Sequence, residues 1–412
     1  MHFIYNCSVY IASFLLKIVA FFNPKLKLFV NGRTTVFDYL KDNLSNKPNL
    51  IWVHTASLGE FEQGLPVIEK LKYKYPNYKI LVTFFSPSGY EVKKNAPSAD
   101  YITYLPLDTK FNSKKFIEIT NPKLAIFVKY EIWPNYLSVL KDSNIPTLLT
   151  SALFNKRQIF FKSYGTFMKK SLFAFSHIFV QDEISKNLLE TIGIKNISIS
   201  GDTRFDRVLE ILKRDNHLDF MTNFKGLKKC FVAGSTWPED ETILVDYINS
   251  SDTSIKFVLA PHTIKKEGIK KLQSSLFKKT VLYSEIENQD ISDFDVLIID
   301  TIGILTKIYS YADIAYVGGG FATGLHNTLE PAVFGIPVLI GPKFIGFKEA
   351  EELVDKKGII TIKDSESFAF EINKLLTHQE HYTQTREINT TYISENSGAT
   401  TKIINFISTI LH

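Results

Sequence analysis

The feature that most narrows the fold is an alternation that runs the length of the chain. Short apolar runs recur, and most are separated by ten to twenty residues of helical character. In the first half the runs are Leu50–His54, Lys79–Phe84, Tyr101–Tyr104, Leu124–Val128, Thr147–Thr150, His177–Gln181 and Ile197–Ser200. In the second half they are Lys229–Ala233, Lys256–Leu259, Val296–Ile299, Ile314–Val317 and Pro337–Ile340. Strands of this kind, linked by helices, predict parallel sheets with helices on both faces. At 412 residues the chain suits two domains of ordinary size. The expectation is therefore an α/β protein with two Rossmann-like, doubly wound domains. Residues 31–212 would form the first and 229–380 the second. The polar, weakly patterned residues 213–228 would link them, and C-terminal helices over 381–412 would pack back on the first domain.

Composition narrows the function. A hydrophobic content of 45% with mean hydropathy near zero fits a folded chain with filled cores. Cys7 and Cys230 are isolated, so neither a zinc site nor a disulfide framework can be built from them, and a reducing compartment is the simple inference. The net charge is +5, and Lys17, Lys25, Lys27 and Arg33 supply four of these charges within residues 1–33, which hold no acid. The globular body is thus nearly neutral, and a nucleic-acid partner is not expected. The charges flank an apolar run, Ile4–Phe22, that is short for a bilayer span and lacks a small-residue cleavage site. Residues 1–30 read as a membrane-associating helix, either lying on the surface or barely spanning, against the alternative of an ordinary buried helix.

In doubly wound sheets ligands bind outside the carboxyl ends of the strands. The candidate residues follow strands accordingly. After Leu50–His54 comes Thr55-Ala56-Ser57-Leu58-Gly59-Glu60, a tight turn that brings Glu60 to the expected cleft, with Pro66 in the first turn of the next helix. A carboxylate there can take a proton from a hydroxyl, or can simply be an acid favoured at a helix N-terminus. After Leu124–Val128 comes Lys129-Tyr130-Glu131-Ile132-Trp133-Pro134, where aromatics around Glu131 suit a sugar or raise a carboxyl pKa, or where Glu131 is a helix-start acid. Arg204, in Gly201-Asp202-Thr203-Arg204, can hold an anion or pair with Asp202 or Asp206.

In the second half, Ser235 and Thr236 can donate to a phosphate or act as caps. His262 follows a strand, as do Lys343 and Lys348. The segment Tyr316–Pro342, YVGGGFATGLHNTLEPAVFGIPVLIGP, carries glycines at 318, 319, 320 and 324 and then a helix start at Asn327, with Glu330 completing a capping box. It reads as a phosphate or nucleotide site on a helix N-terminus, and its spacing excludes the G-x-G-x-x-G dinucleotide fingerprint. Asp293-Phe294-Asp295 precedes its strand and lies at the wrong end of the sheet for a cleft metal, so no metal is expected.

Taken together, HTASLGEFEQGLP, KYEIWPNYL, SGDTRFDR, GSTWPEDE, APHTIKKE and GGGFATGLHNTLEP followed by GIPVLIGP resemble the 3-deoxy-D-manno-octulosonate (Kdo) transferases of lipid A assembly, inverting glycosyltransferases of the GT-B fold. The pieces run in the family's order from about residue 30 to about residue 350, and the apolar N-terminus also matches. The chain departs from the family pattern at Ala260 and Thr263, which flank Pro261-His262 where many members carry a nearby arginine.

The resemblance implies transfer of Kdo from CMP-Kdo to a glucosamine hydroxyl of a lipid A precursor. The first domain would bind the acceptor and the second the CMP-sugar, at the cytoplasmic face of the inner membrane, with no cofactor and no metal. It implies Glu60 as general base and Glu131 as a second required acid. Ser57, Gly59 and Arg204 would serve an acceptor or donor anion. Ser235, Thr236, His262, Gly319, Gly320, Asn327 and Glu330 would bind CMP, with Glu330 suited to the ribose. The rivals are a nucleotide-sugar epimerase or hydrolase on the same two-domain fold, and a non-catalytic nucleotide-sugar binding protein.

Overall fold

The computed structural model describes residues 2–252, 254–287 and 289–411. The chain forms two compact units, Met1–Arg207 with Asn396–His412, and Val208–Glu395.

The first unit is built on a seven-stranded sheet of β1 (Leu50–Thr55), β2 (Lys79–Phe84), β3 (Tyr101–Tyr104), β4 (Leu124–Val128), β5 (Thr147–Ala152), β6 (His177–Val180) and β7 (Ile197–Ile199). Their order is β3-β2-β1-β4-β5-β6-β7, and every pairing is parallel. β1 and β4 are buried from end to end, as parallel strands covered on both faces must be. Alternate side chains feed two cores. Leu50 and Trp52 face one with Phe116, Phe127 and Tyr136, while Ile51 and Val53 face the other with Phe61, Ile68 and Ile126. The second core also takes Ile403, Ile404 and Ile407 from the helix Ala399–Ile407. The order of strands across the sheet reverses between β1 and β4, which makes a topological switch point at their carboxyl ends.

The second unit repeats the plan with β8 (Cys230–Thr236), β9 (Lys256–Pro261), β10 (Thr280–Leu282), β11 (Val296–Ile298), β12 (Ile314–Val317), β13 (Val338–Ile340) and β14 (Ile359–Thr361). The order is β10-β11-β9-β8-β12-β13-β14, again all parallel. The switch point lies between β8 and β12. Phe231, Phe257, Tyr316 and Phe368 form its core with Leu244 and Ile372. A helix, Asp219–Lys225, lies within 213–228 and buries Met221 and Phe224.

Two local expectations are corrected. Pro66 is not in a first turn: the helix starts eight residues earlier, at Leu58, and runs through the proline to Lys74. The helix after the glycine segment does not start at Asn327. It is a four-residue turn, Leu329–Ala332, with Thr328 at its N-cap, too short to supply the dipole of a full helix. The edge strands β10 and β14, three residues each, were not among the expected runs.

Candidate active site

At the first switch point, β1 delivers its chain into the turn at Ala56 and Ser57. Ser57 is extended at the N-cap of Leu58–Lys74, and Glu60 sits half-buried in the first turn. The Ser57 hydroxyl donates to Glu60 Oε2, which fixes the carboxylate over the strand end. Gly59 is exposed, and a Cβ there would meet nothing closer than Ser57 Oγ at 3.8 Å, so nothing in the protein itself requires glycine at this position.

Across the switch point, β4 ends at Val128, Lys129 takes φ +69°, and a tight turn closes from Ile132 N to Tyr130 O. This turn aims Glu131 back at β1. Glu131 Oε2 lies 3.2 Å from His54 Nε2 and accepts from Trp133 Nε1 at 2.9 Å. His54 is fully buried, with Nδ1 3.1 Å from Thr83 O and 2.9 Å from Thr83 Oγ1, while Trp52 Nε1 donates to that same hydroxyl. His54 Nδ1 thus meets the Thr83 carbonyl and hydroxyl, while Nε2 meets both the Glu131 carboxylate and the Trp133 Nε1–H, 3.1 Å away. The network ties the ends of β1, β2 and β4 to one carboxylate that keeps 12% side-chain exposure.

Glu131 is not a helix-start acid. The helix Pro134–Asp142 is capped instead by Asp108, whose carboxylate accepts from Asn135 N and Tyr136 N. Tyr130 lies within electrostatic reach of Glu60, Asp202 and Arg204, and burial pushes its phenol pKa up. Arg204 pairs with Asp202 at 2.8 Å, and Asp202 in turn holds Gln63 Nε2 at 2.7 Å.

At the second switch point the glycine segment differs from expectation in a way that matters. Gly318, Gly319 and Gly320 are buried. A Cβ on Gly318 would lie 2.3 Å from Ser235 O, and one on Gly320 would lie 2.7 Å from Gly341 Cα. The space these glycines leave is taken by the backbones of β8 and of the residue after β13, not by a ligand. Gly319 adopts φ +94°, and its N–H donates to Asp240 Oδ2 at 2.9 Å. Gly319 and Gly320 thus shape the turn and do not offer a bare surface.

Asp240 organises this turn. It is fully buried and accepts from Trp237 N (2.9 Å), Gly319 N (2.9 Å) and Tyr316 OH (2.7 Å). Burial and this carboxylate raise the Tyr316 pKa, so the phenol remains a donor. In the sequence Asp240 looks like one of several acids at a helix start. The usable signal is its spacing from Leu244 and Tyr247, which places it on the buried face of Pro238–Ser250. His54 carries a weaker signal, as a polar residue that follows four apolar ones in β1.

The rim of the turn carries the remaining candidates. Ser235 sits at the register break of β8 with φ +55° and is half-buried, and among the described residues its hydroxyl has no hydrogen-bond partner. Thr236 does not face outward: it is buried and donates to Glu241 Oε1 at 3.0 Å. Exposed His262 stacks on Trp237 at 4.9 Å and lies 4.4 Å from the His326 ring. Trp237 Nε1 donates to His326 Nε2 at 3.1 Å, and burial followed by the neighbouring His262 lowers the His326 pKa. Exposed Asn327 accepts from Leu329 N and donates to Glu330 Oε1, while Thr306 Oγ1 donates to Glu330 Oε2 at 2.9 Å. Ser235, Trp237, His262, His326, Asn327 and Glu330 thus form a polar and aromatic rim over a rigid turn.

Residues 32–207 match the family model described as 3-deoxy-D-manno-octulosonic-acid transferase (kdotransferase). A 3-deoxy-D-manno-octulosonic acid transferase from Aquifex aeolicus (strain VF5) is 30% identical over 367 residues, 86% of this chain and 95% of that protein. One from Haemophilus influenzae is 28% identical over 383 residues, 88% of each. Among solved structures, a UDP-GlcNAc 2-epimerase from Neisseria meningitidis bound to UDP-GlcNAc is similar with a TM-score of 0.64 at 16% identity, covering 87% of this chain and 100% of that one. At that identity the likeness is one of fold.

Proposed function

The chain belongs to the 3-deoxy-D-manno-octulosonic acid transferase family, and from that premise we propose that it moves Kdo from CMP-Kdo to a glucosamine hydroxyl of a lipid A precursor, with inversion. The observation that carries the mechanism is Glu60, a half-exposed carboxylate held by Ser57 at the carboxyl end of β1. In this reading Glu60 takes the proton of the acceptor hydroxyl as its oxygen attacks the anomeric carbon. The bond from that carbon to the CMP phosphate oxygen breaks, and CMP leaves with the electron pair. A phosphate is a good leaving group, so one base suffices, whereas a glycosidase flanks its bond with two carboxyl groups.

Glu131, fixed by His54 and Trp133, keeps one partly open face beside the same strand ends and serves to orient the acceptor. Arg204, whose charge is shared with Asp202, and Gly59 complete the anion-binding side of this unit. In the second unit Ser235, His262 and Asn327 would meet the CMP phosphate and base. Glu330 would accept from the ribose hydroxyls once Thr306 or Asn327 yields. Gly319 and Gly320 act through the shape of the turn.

The acceptor is amphiphilic, so the enzyme works at a membrane. The helix His2–Val19 is long and apolar enough to reach one, and its residues are outside the protein core. Free Cys7 and Cys230 suit the reducing, cytoplasmic side.

Glu60→Gln tests the mechanism. Transfer should fall about 10²- to 10⁴-fold while CMP affinity stays within error of the parent. Normal turnover in this variant removes Glu60 as the base.

A further inference from the structure

The helix His2–Val19 is long and apolar enough to cross a membrane, yet its contacts conflict with spanning. Its amphipathicity is inverted relative to a helix on a soluble protein. The inward face is mixed: Tyr5, Asn6, Cys7, Val9, Ser13 and Leu16 are half-buried against the rest of the first unit, and Ala20 just beyond is buried. The outward face is large and apolar: Phe3, Ile4, Ile11, Phe14, Leu15 and Ile18 are 45–79% exposed.

Both ends of the inward face are tied to the same body. Near the start, Tyr5 OH donates to buried Asp108 at 2.7 Å, Asn135 Nδ2 donates to Asn6 Oδ1 at 3.1 Å, and the His2 and Tyr5 rings pack on Phe167. Near the end, Leu16 and Lys17 share a cavity of about 230 Å³ with Pro106 and Leu107, the residues just before Asp108. The return helix Pro24–Asn31 is pinned in turn. Arg33 donates to Phe29 O, Phe85 O and Leu105 O, and burial lowers its pKa to about 9.

A helix of 18 residues is about 27 Å long, nearly the thickness of the hydrocarbon layer. A span of that length cannot also lie with residues 5 and 16 both against the loop 106–108 unless the globular unit enters the bilayer with it. We infer that this helix lies in the plane of the membrane as a monotopic docking face, its outward stripe sunk among acyl chains and the first unit resting on the polar side. The occupant is an anionic lipid surface. Residues 1–33 hold no acid, and exposed Lys17, Lys25 and Lys27 border the stripe where it continues into Phe21, Phe22 and Leu28. The inference deepens the membrane reading given above and rests on it.

The test uses the full chain with Cys7→Ser, spin-labelled in turn at cysteines replacing Ile4, Ile11 and Ile18, on vesicles of phosphatidylglycerol and phosphatidylethanolamine. These three positions are spaced by seven residues on one face. An in-plane helix gives the three labels one shallow depth. A span gives a peak at residue 11 with residues 4 and 18 near opposite surfaces, and that profile overturns the proposal. Labels that stay aqueous while transfer to bilayer-embedded acceptor proceeds also overturn it. Aqueous labels with no transfer to bilayer-embedded acceptor, alongside normal transfer to detergent-dispersed acceptor, reject the membrane reading itself. As a second arm, Phe14→Asp should weaken vesicle binding roughly 10- to 100-fold and leave transfer to detergent-dispersed acceptor unchanged. Unaltered vesicle binding counts against the stripe as the docking face.

Discussion

Asp240→Asn isolates what holds the glycine turn of the second unit together. The parent carboxylate serves three buried donors: two backbone N–H groups, from Trp237 and Gly319, meet Oδ2, and the Tyr316 phenol meets Oδ1. An asparagine can present its carbonyl oxygen to the two N–H groups, and its amide nitrogen then faces a phenol that must turn its own hydrogen elsewhere. With no solvent access at Asp240, one donor is orphaned, which costs about 1–3 kcal/mol. The alternative flip orphans the two backbone donors and is worse. Asp240→Ala abandons all three, each charge-assisted, for a ceiling on the order of 4–9 kcal/mol before water enters the hole.

For a unit of roughly 200 residues, 1 kcal/mol lowers Tm by about 2–4 °C, so the asparagine variant should melt roughly 2–12 °C below the parent. Calorimetry of the full chain would follow the transition. CMP titration would follow the site, because the turn with Gly319 at φ +94° carries Asn327 and Glu330 on its far side. Weaker CMP binding in a variant that is still folded at the assay temperature is the expected result. An asparagine variant that melts within about 1 °C of the parent and binds CMP equally well refutes the claim that this carboxylate builds the turn.

Two further outcomes follow from the same region. His326 is held below its ordinary value near 6.5, so below that value the unfolded chain takes up a proton that the folded chain refuses. Stability should therefore fall as pH drops below about 6.5 and level off below the folded value, and His326→Asn should flatten that part of the urea-midpoint profile; an unchanged slope would show that this ring does not carry it. Gly320→Ala forces a Cβ to 2.7 Å from backbone atoms of Gly341 and should cost about 1–3 kcal/mol or more, whereas Gly59→Ala, with its nearest neighbour at 3.8 Å, should stay within about 1 kcal/mol of the parent in the same melt.

What could be read in advance divides along a physical line. β1 and β4 were legible because a parallel strand covered on both faces must be apolar throughout, a property each residue carries by itself. The edge strands β10 and β14, three residues long and only partly buried, carry no such signature. The positions of the candidate residues followed the same logic: Glu60, Glu131 and Gly319 come after strands that flank the switch points, and Ser235 lies at the end of β8.

What each residue does there depends on partners far away in sequence. Nothing local tells that Glu131 meets His54, 77 residues earlier, or that Asp240 meets Gly319, 79 residues later. The glycines show the cost of missing this. A run of three beside a strand end looks the same whether the open side is filled by a phosphate or by another strand, and only the register of β8 against β12 decides it. The turn chemistry misled for a related reason. Asn327 and Glu330 have the spacing of a capping box, but Asn327 accepts from Leu329 N and its amide donates to Glu330 Oε1, while Glu330 Oε2 accepts from Thr306 on another element, because the backbone here closes a single turn at Leu329–Ala332. Buried acids with two or more distant donors, not glycine counts, are therefore the features of this chain whose substitution should separate turn geometry from ligand contact.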